Sequence, residues 1–409
     1  MATYEIKVDD DLLQDLLSGN DEGLASLLQQ VLNQILDGQC TEQLQADRYE
    51  RSEDRQGYRN GSYNRKMTTR VGTIELEVPR VRDGEFSTEM FQRYQRSEQA
   101  LVLSMMEMVV NGVSTRKVKK VTRELCGAEF SKSTVSDLCQ ELDPMIEAWN
   151  ERDLSEKAFP FVIVDGLVLR VRENNRVRQK SALIAVGVNE DGYREILGLQ
   201  MGQSETESSW KDFFRWLKRR GLHGVDVIVS DDHSGLKNAA FQVFQDNTLW
   251  QRCQFHFLKN IRDRSPNKYE DEIHRRVKEA LESATKKKAR ERVHEILNDY
   301  EDKAPKAMET LETGFEDAIA VLALPGKYRR RLRTTNSLER LNEEIRRREK
   351  VIRIFPNEES AHRLVGALLL EQHEEWVTGR RYFDMTEYNE WKQKQTTENP
   401  ADDPEVMVA

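Results

Sequence analysis

Apolar and polar positions change rhythm three times along the chain. Residues 9–37 repeat Leu and Ile at helical spacing, which predicts two amphipathic helices broken at Gly19-Asn20, a packing or dimerisation element. Residues 51–86 alternate instead. Val71, Ile74, Leu76 and Val78 sit between polar neighbours, Gly72 and Gly84 bracket the run and Pro79 closes it. That predicts a small β-hairpin behind a loop dotted with Arg, Asn and Tyr. Residues 98–142 return to helical rhythm in three pieces: ALVLSMMEMVVNG, then STRKVKKVTRELCG with Ser114 as N-cap and Gly127 as stop, then a helix capped by Ser131 or Ser133. A short turn joins the last two, as in a helix-turn-helix.

From Phe159 the texture is that of strands. FVIVDGLVLRVRE, RQKSALIAVGVNE and GYREILGLQMG are three consecutive β-type runs; an amphipathic helix with Trp210, Phe213, Phe214 and Leu217 on one face follows. The short strands VDVIVS and TLWQRC then alternate with helices. The order β-β-β-α-β-α-β-α predicts an α/β fold, a mixed sheet with helices on both faces. Residues 267–325 are helical and charged throughout, and 360–377 form one more helix. Past Tyr388 the chain turns polar and acidic, with Pro400 and Pro404, and reads as a disordered tail.

Composition narrows the class. A chain of 409 residues has room for two to four domains. It has no apolar run of membrane-spanning length, and its first residues lack the basic and apolar regions of a signal peptide. Four widely spaced cysteines form no disulfide framework, which fits a reducing cytoplasm. The net charge of −9 speaks against nucleic acid until its distribution is read. Residues 1–50 hold eleven acids and two bases, and 384–409 hold seven acids and two bases, so the body between is basic. Gly326 to Arg353 alone carries eleven Lys or Arg against four Glu. Affinity for phosphate depends on such local patches rather than on overall charge. Arg116, Lys117, Lys119, Lys120 and Arg123 make the middle helix of the triplet basic, and Lys132 opens the next. These suit DNA contact, and the triplet equally suits a plain packing module.

Three acids carry the candidate chemistry. Asp165 follows FVIV inside the first strand, where a carboxylate is costly unless paired or metal-bound. Asp231 ends the β-branched strand, and strand ends in such sheets face the ligand crevice. Glu339 lies on the basic helix TTNSLERLNEEIRRR. Two strand carboxylates and one helix carboxylate suit a pair of hard divalent cations, which can activate one oxygen and stabilise another in phosphodiester chemistry. Glu339, Glu343 and Arg346 share a helix face, so Arg346 can hold phosphate beside the metal; a surface helix laced with Glu–Arg pairs is the plainer reading. Cys253 and His256 are spaced C-x-x-H, but no second pair completes a four-ligand zinc site. They suit a packed core pair.

VDGL around Asp165, VSDDHSGL around Asp231, QRCQFHFLKNI around Cys253 and His256, and TTNSLERLNEEIRRR around Glu339 occur in that order, after YRNGSYNRKMTTRVGTIELEVPRVRDGEF. The set resembles the Mutator-type transposases of bacterial insertion sequences over most of residues 50–350. The resemblance implies a ribonuclease H-like catalytic core with an Asp-Asp-Glu triad, here Asp165, Asp231 and Glu339. It also implies an all-helical insertion before the Glu helix, a basic position at Arg346, and a place beside the active site for Cys253 and His256, where the pair positions and His256 touches DNA; the oxygen ligands themselves suit Mg²⁺ (or Mn²⁺) as cofactor. Where the family often has Gly after the second Asp, this chain has Asp232; the flanking residues favour Asp231. The expected organisation is an acidic helical N-terminal or dimerisation segment over 1–50 and a DNA-binding region over 51–150. A catalytic core over 158–266, a helical insertion over 267–330, core completion over 331–383 and an acidic tail over 384–409 follow. The implied partners are terminal inverted repeats and target DNA, bound by a homodimer or larger oligomer at the nucleoid, with no membrane. The resemblance favours a copying route through a circle. A ribonuclease H-fold nuclease or resolvase, or a catalytically silent DNA-binding regulator, are the competing functions. No Walker-type phosphate loop occurs, which argues against an ATP-driven mechanism.

Overall fold

In the computed structural model the apolar stripe of the N-terminal segment forms α1 (Asp21–Leu44), and an antiparallel hairpin of β1 (Arg59–Thr69) and β2 (Gly72–Val81) follows. The structure describes residues 6–8, 21–50, 53, 55–82, 86–88, 97, 99–126, 129–244 and 248–398. The helix expected before Gly19, the Gly84 bracket, the Gly127 stop and the end of the tail lie outside the described residues. The chain divides into two compact units, Met1–Glu141 and Leu142–Ala409.

In the first unit, strand alternation turns Met67, Ile74, Leu76 and Val78 to one face, where they cluster with Leu36, Leu28 and Leu32 of α1. Gln29 Oε1 accepts from the Glu75 N–H at 3.1 Å, and Asn33 Oδ1 accepts from the Glu77 N–H at 2.9 Å. The helix thus covers the apolar face and satisfies backbone donors that a bare ribbon leaves unpaired. Much of the stretch expected as a loop ahead of the hairpin is its first strand. Its polar positions face water while Met67 and Thr69 turn inward. Three helices follow: α2 (Gln99–Val110), α3 (Thr115–Cys126) and α4 (Lys132–Cys139). Ser131 caps α4, its hydroxyl accepting from the Thr134 N–H at 3.0 Å. Met105, Val118 and Val135 are buried, which leaves the cations of α3 on its outer face.

The second unit opens with α5 (Asp143–Asn150) and centres on five strands: β3 (Phe161–Glu173), β4 (Arg176–Val188), β5 (Arg194–Gly202), β6 (Val227–Ser230) and β7 (Leu249–Arg252). Their order is β5-β4-β3-β6-β7; the first three form an antiparallel meander, and β6 and β7 add parallel on the other side of β3. Between them run α6 (Glu207–Arg219) and α7 (Ser234–Phe244). Trp210, Phe213, Phe214 and Leu217 of α6 are fully buried with Val162, Val164 and Ile228 of the sheet. Each such side chain contributes about 1.5–3 kcal/mol by leaving water. After β7 come α8 (Gln254–Arg264), α9 (Glu270–Leu281), α10 (Lys286–Tyr300) and α11 (Pro305–Ala318). The last three enclose a core of their own, with Ile273, Val277, Ile296 and Phe315, to which α8 adds Phe257 and Ile261. Then follow α12 (Gly326–Leu332), α13 (Asn336–Ile352), α14 (Glu358–Thr378) and α15 (Thr386–Glu398).

Helix α15 corrects the expectation of a disordered tail from residue 384. Tyr388 is 1% exposed, its ring lies 4.7 Å from that of Phe161, and its hydroxyl donates to Asp226 Oδ2 at 2.6 Å. Lys392 Nζ donates to both oxygens of the same carboxylate, at 2.8 and 2.6 Å. A few anchors in a polar stretch hold it to the sheet without changing its mean composition. Among the described residues no helix is long and apolar enough to cross a membrane.

Candidate active site

The parallel register of β3 and β6 sets Asp165 and Asp231 near one another at the sheet's centre. Asp165 lies two residues past the last β3–β6 pair, Ile163 with Val229, and Asp231 directly follows β6. Helix α8 starts after β7, and its first turn brings His256 Nδ1 into short contact with Asp231 Oδ1. The same nitrogen lies 3.9 Å from Glu339 Oε1 on α13. Thr335, just before α13, donates its hydroxyl to Glu339 Oε1 at 3.2 Å and its backbone N–H to Cys253 Sγ at 3.4 Å. The fully buried Cys253 thus anchors the start of the glutamate helix. Asp231, Cys253 and His256 offer an oxygen, a sulfur and a nitrogen all within 4.8 Å of one another. Asn342, one turn after Glu339, donates Nδ2 to Asp165 Oδ2 at 2.6 Å and ties helix to strand.

Electrostatics follow from this crowding. Burial, then the charge of Asp231, push the Asp165 carboxyl up to about 7, against the Gly166 N–H bond and the nearby His256. Burial alone pulls the His256 imidazole down, but its hydrogen bonds to Asp231 and Cys253 and their charges raise it to about 10. The imidazolium therefore offsets negative charge between Asp231 and Glu339. Asp232 points elsewhere, its Oδ2 2.9 Å from Arg252 Nη2 on β7. The two adjacent acids at the strand end face different partners.

Two participants escaped the sequence reading. Glu205, in the loop between β5 and α6, sets its carboxylate 2.4 to 2.7 Å from where a Cβ on residue 166 would stand. Only glycine at 166 admits it, and a glycine inside a strand was the available signal. Burial raises the Glu205 carboxyl. For Asn342 the available signal was its place at i+3 from Glu339.

Arg346 is exposed on α13 and forms no ion pair among the described residues; the pairing with Glu343 is not made, and Glu344 binds Arg347 and Arg348 instead. In the first unit Arg116, Lys117, Lys119, Lys120 and Lys132 are all exposed; Lys119 pairs with Glu129 at 2.9 Å.

The second unit is thus a mixed α/β fold in which Asp231, at a strand end, and Glu339, on an arginine-rich helix, meet at one histidine, with Asp165 tied to that helix by Asn342. Residues 1–379 match the family described as Transposase, Mutator family, and the chain belongs to that family. It is 48% identical over 371 residues to a Staphylococcus aureus protein named as the transposase for insertion sequence element IS256 in transposon Tn4001, covering 90% of this chain and 95% of the relative. It is 43% identical over 392 residues to the Rhizobium meliloti transposase for ISRM5 (96% and 98% covered). It is 35% identical over 411 residues to the Mycobacterium tuberculosis transposase for IS1081 (98% and 99% covered).

Proposed function

We propose that the chain is the transposase of an insertion sequence, binding the element's terminal inverted repeats and cutting and rejoining DNA strands with Asp165, Asp231 and Glu339. The observation that carries this reading is the meeting of Asp231 and Glu339 at His256, with Asp165 near enough for the charge of Asp231 to raise it. The names of the relatives support it. The strand order β5-β4-β3-β6-β7 supports a ribonuclease H-like core.

The donor set fits a hard divalent cation. Three carboxylates supply oxygen ligands, and Asp165 is raised first by burial and then by the charge of Asp231, both of which a bound cation would offset. Asp165, Asp231 and Glu339 would hold Mg²⁺, with Mn²⁺ as substitute. When bound, it sharpens an attacking oxygen and stabilises the leaving one. Asn342 holds the Asp165 carboxylate, and Thr335 holds that of Glu339, so neither must reorient when DNA arrives. Water attacks phosphorus and displaces the 3′-oxygen, which leaves as a 3′-OH beside a 5′-phosphate; that hydroxyl then attacks a phosphate of the target strand and displaces the target's own 3′-oxygen as a new 3′-OH, and no protein–DNA bond forms. In the first unit, α3 and α4 serve as a helix-turn-helix whose exposed Arg116, Lys117, Lys120 and Lys132 contact the terminal repeat.

The test is a band-shift assay beside a Mg²⁺ cleavage assay on the repeat found in the DNA flanking the gene. Asp165→Asn, Asp231→Asn and Glu339→Gln each abolish cleavage and keep binding, while Asp232→Asn still cuts. Full cleavage by Asp231→Asn sinks the assignment.

A further inference from the structure

Next to the carboxylates lies a cleft of about 470 Å³, bounded by α8, α9 and the turn from α12 into α13. Phe255 stands in its wall with half its surface exposed, one residue from His256 and edge-on to that ring at 5.2 Å. Four cationic side chains line the cleft, Lys259, Arg262, Lys278 and Arg333, against one carboxylate, Glu282. Arg333 pairs with Glu282 at 3.3 Å and Arg262 pairs with Glu270, while Lys259 and Lys278 are exposed and form no ion pair among the described residues. Leu258 adds apolar surface to the same wall.

We propose that this cleft holds one unstacked nucleotide of the DNA strand at the cutting site, its base against Phe255 and its phosphates near Lys259 and Lys278. The proposal rests on the reading of Asp165, Asp231 and Glu339 as that site. The physical argument joins two features. An exposed aromatic ring offers a π-face for a base, and a base inside a duplex has both faces covered by its neighbours, so only an unstacked base can use it. Surrounding cations select a polyanion over an apolar peptide. The ring sits beside His256, which touches Asp231, so a base held there fixes the backbone close to the carboxylates.

The experiment is a cycle between the side chain and the base. Full-length protein binds terminal-repeat duplexes in Mg²⁺-free buffer, read by fluorescence anisotropy, with an abasic site placed in turn at each position flanking the cut. Phe255→Ala weakens binding about 5- to 150-fold on intact DNA, the range for one stacked base. At one position the abasic site costs wild type a similar factor and costs Phe255→Ala less than about twofold more. Phe255→Trp keeps wild-type affinity, and Phe255→Leu does not. Additive losses at every position overturn the proposal, as does Phe255→Ala or Phe255→Leu binding within twofold of wild type. Because the cycle reads binding alone, full cleavage by Asp231→Asn beside an intact cycle sinks the triad and keeps the cleft. Absent coupling with the triad upheld sinks the cleft alone.

Discussion

Replacing Arg346 by alanine separates folding from function. Its side chain is exposed and has no carboxylate partner among the described residues, so the fold loses no contact. An exposed site of this kind changes stability by less than about 0.5 kcal/mol. Seven residues along α13 place it about 10.5 Å beyond Glu339 and on nearly the same face, where DNA at the proposed cutting site would continue. Losing one charge-assisted hydrogen bond to phosphate costs about 1.5–3 kcal/mol, which is roughly 10- to 150-fold in rate if the contact is made in the transition state. Single-turnover cleavage on pre-bound DNA is the assay, with thermal melting alongside. Arg346→Lys recovers part of the rate, because a point charge remains and the planar fork is lost. A loss below about threefold for Arg346→Ala, or a melting shift of several degrees, refutes the argument.

Three further outcomes are expected. Gly166→Ala displaces the Glu205 carboxylate, the far end of a flexible side chain, so the fold loses under about 1 kcal/mol while cleavage drops; Glu205→Ala gives the same loss, and an additive double variant contradicts this. His373 accepts from the Ile196 N–H at 3.2 Å, and burial, helped by Arg152, holds its pKa down to about 4. Its contribution is complete above pH 6.5 and fades as pH falls towards 4, where the unfolded chain binds a proton the folded one refuses. About 1–3 kcal/mol of acid sensitivity, discounted for its partial exposure, should vanish in His373→Gln when urea midpoints are followed with pH. Tyr388→Ala costs about 3–5 kcal/mol in urea unfolding, and Tyr388→Phe about 1 kcal/mol for the lost Asp226 bond; no change in either means α15 does not dock.

Periodicity made much of this architecture readable. The β-branched runs at Phe161–Glu173 and Val227–Ser230 could bury themselves only as central strands, and the acids within or after them stood out because apolar strands rarely carry acids. Asp165, Asp231 and Glu339 were therefore visible as residues, and so were Cys253 and His256. Their partners were not. That Asp231 meets His256 while Asp232 meets Arg252 depends on how β6 and β7 align, and two neighbouring acids look alike in one dimension. Glu205 reaches Gly166 from a distant loop, and Asn342 lies 177 positions from Asp165, distances at which sequence spacing holds no information.

The sequence by itself determined most local choices, α15 and the first hairpin strand excepted: which segments are helix or strand, where turns fall, and which faces are apolar. These arise from interactions among near neighbours. The tertiary structure decided what each exposed or charged residue faces. It laid α1 on the hairpin, docked α15 through Tyr388 and Lys392, set Asp231 and Glu339 against one imidazole, and tied Asp165 to the glutamate helix through Asn342. Those pairings depend on sheet register and helix packing, which many residues set together and no short segment encodes.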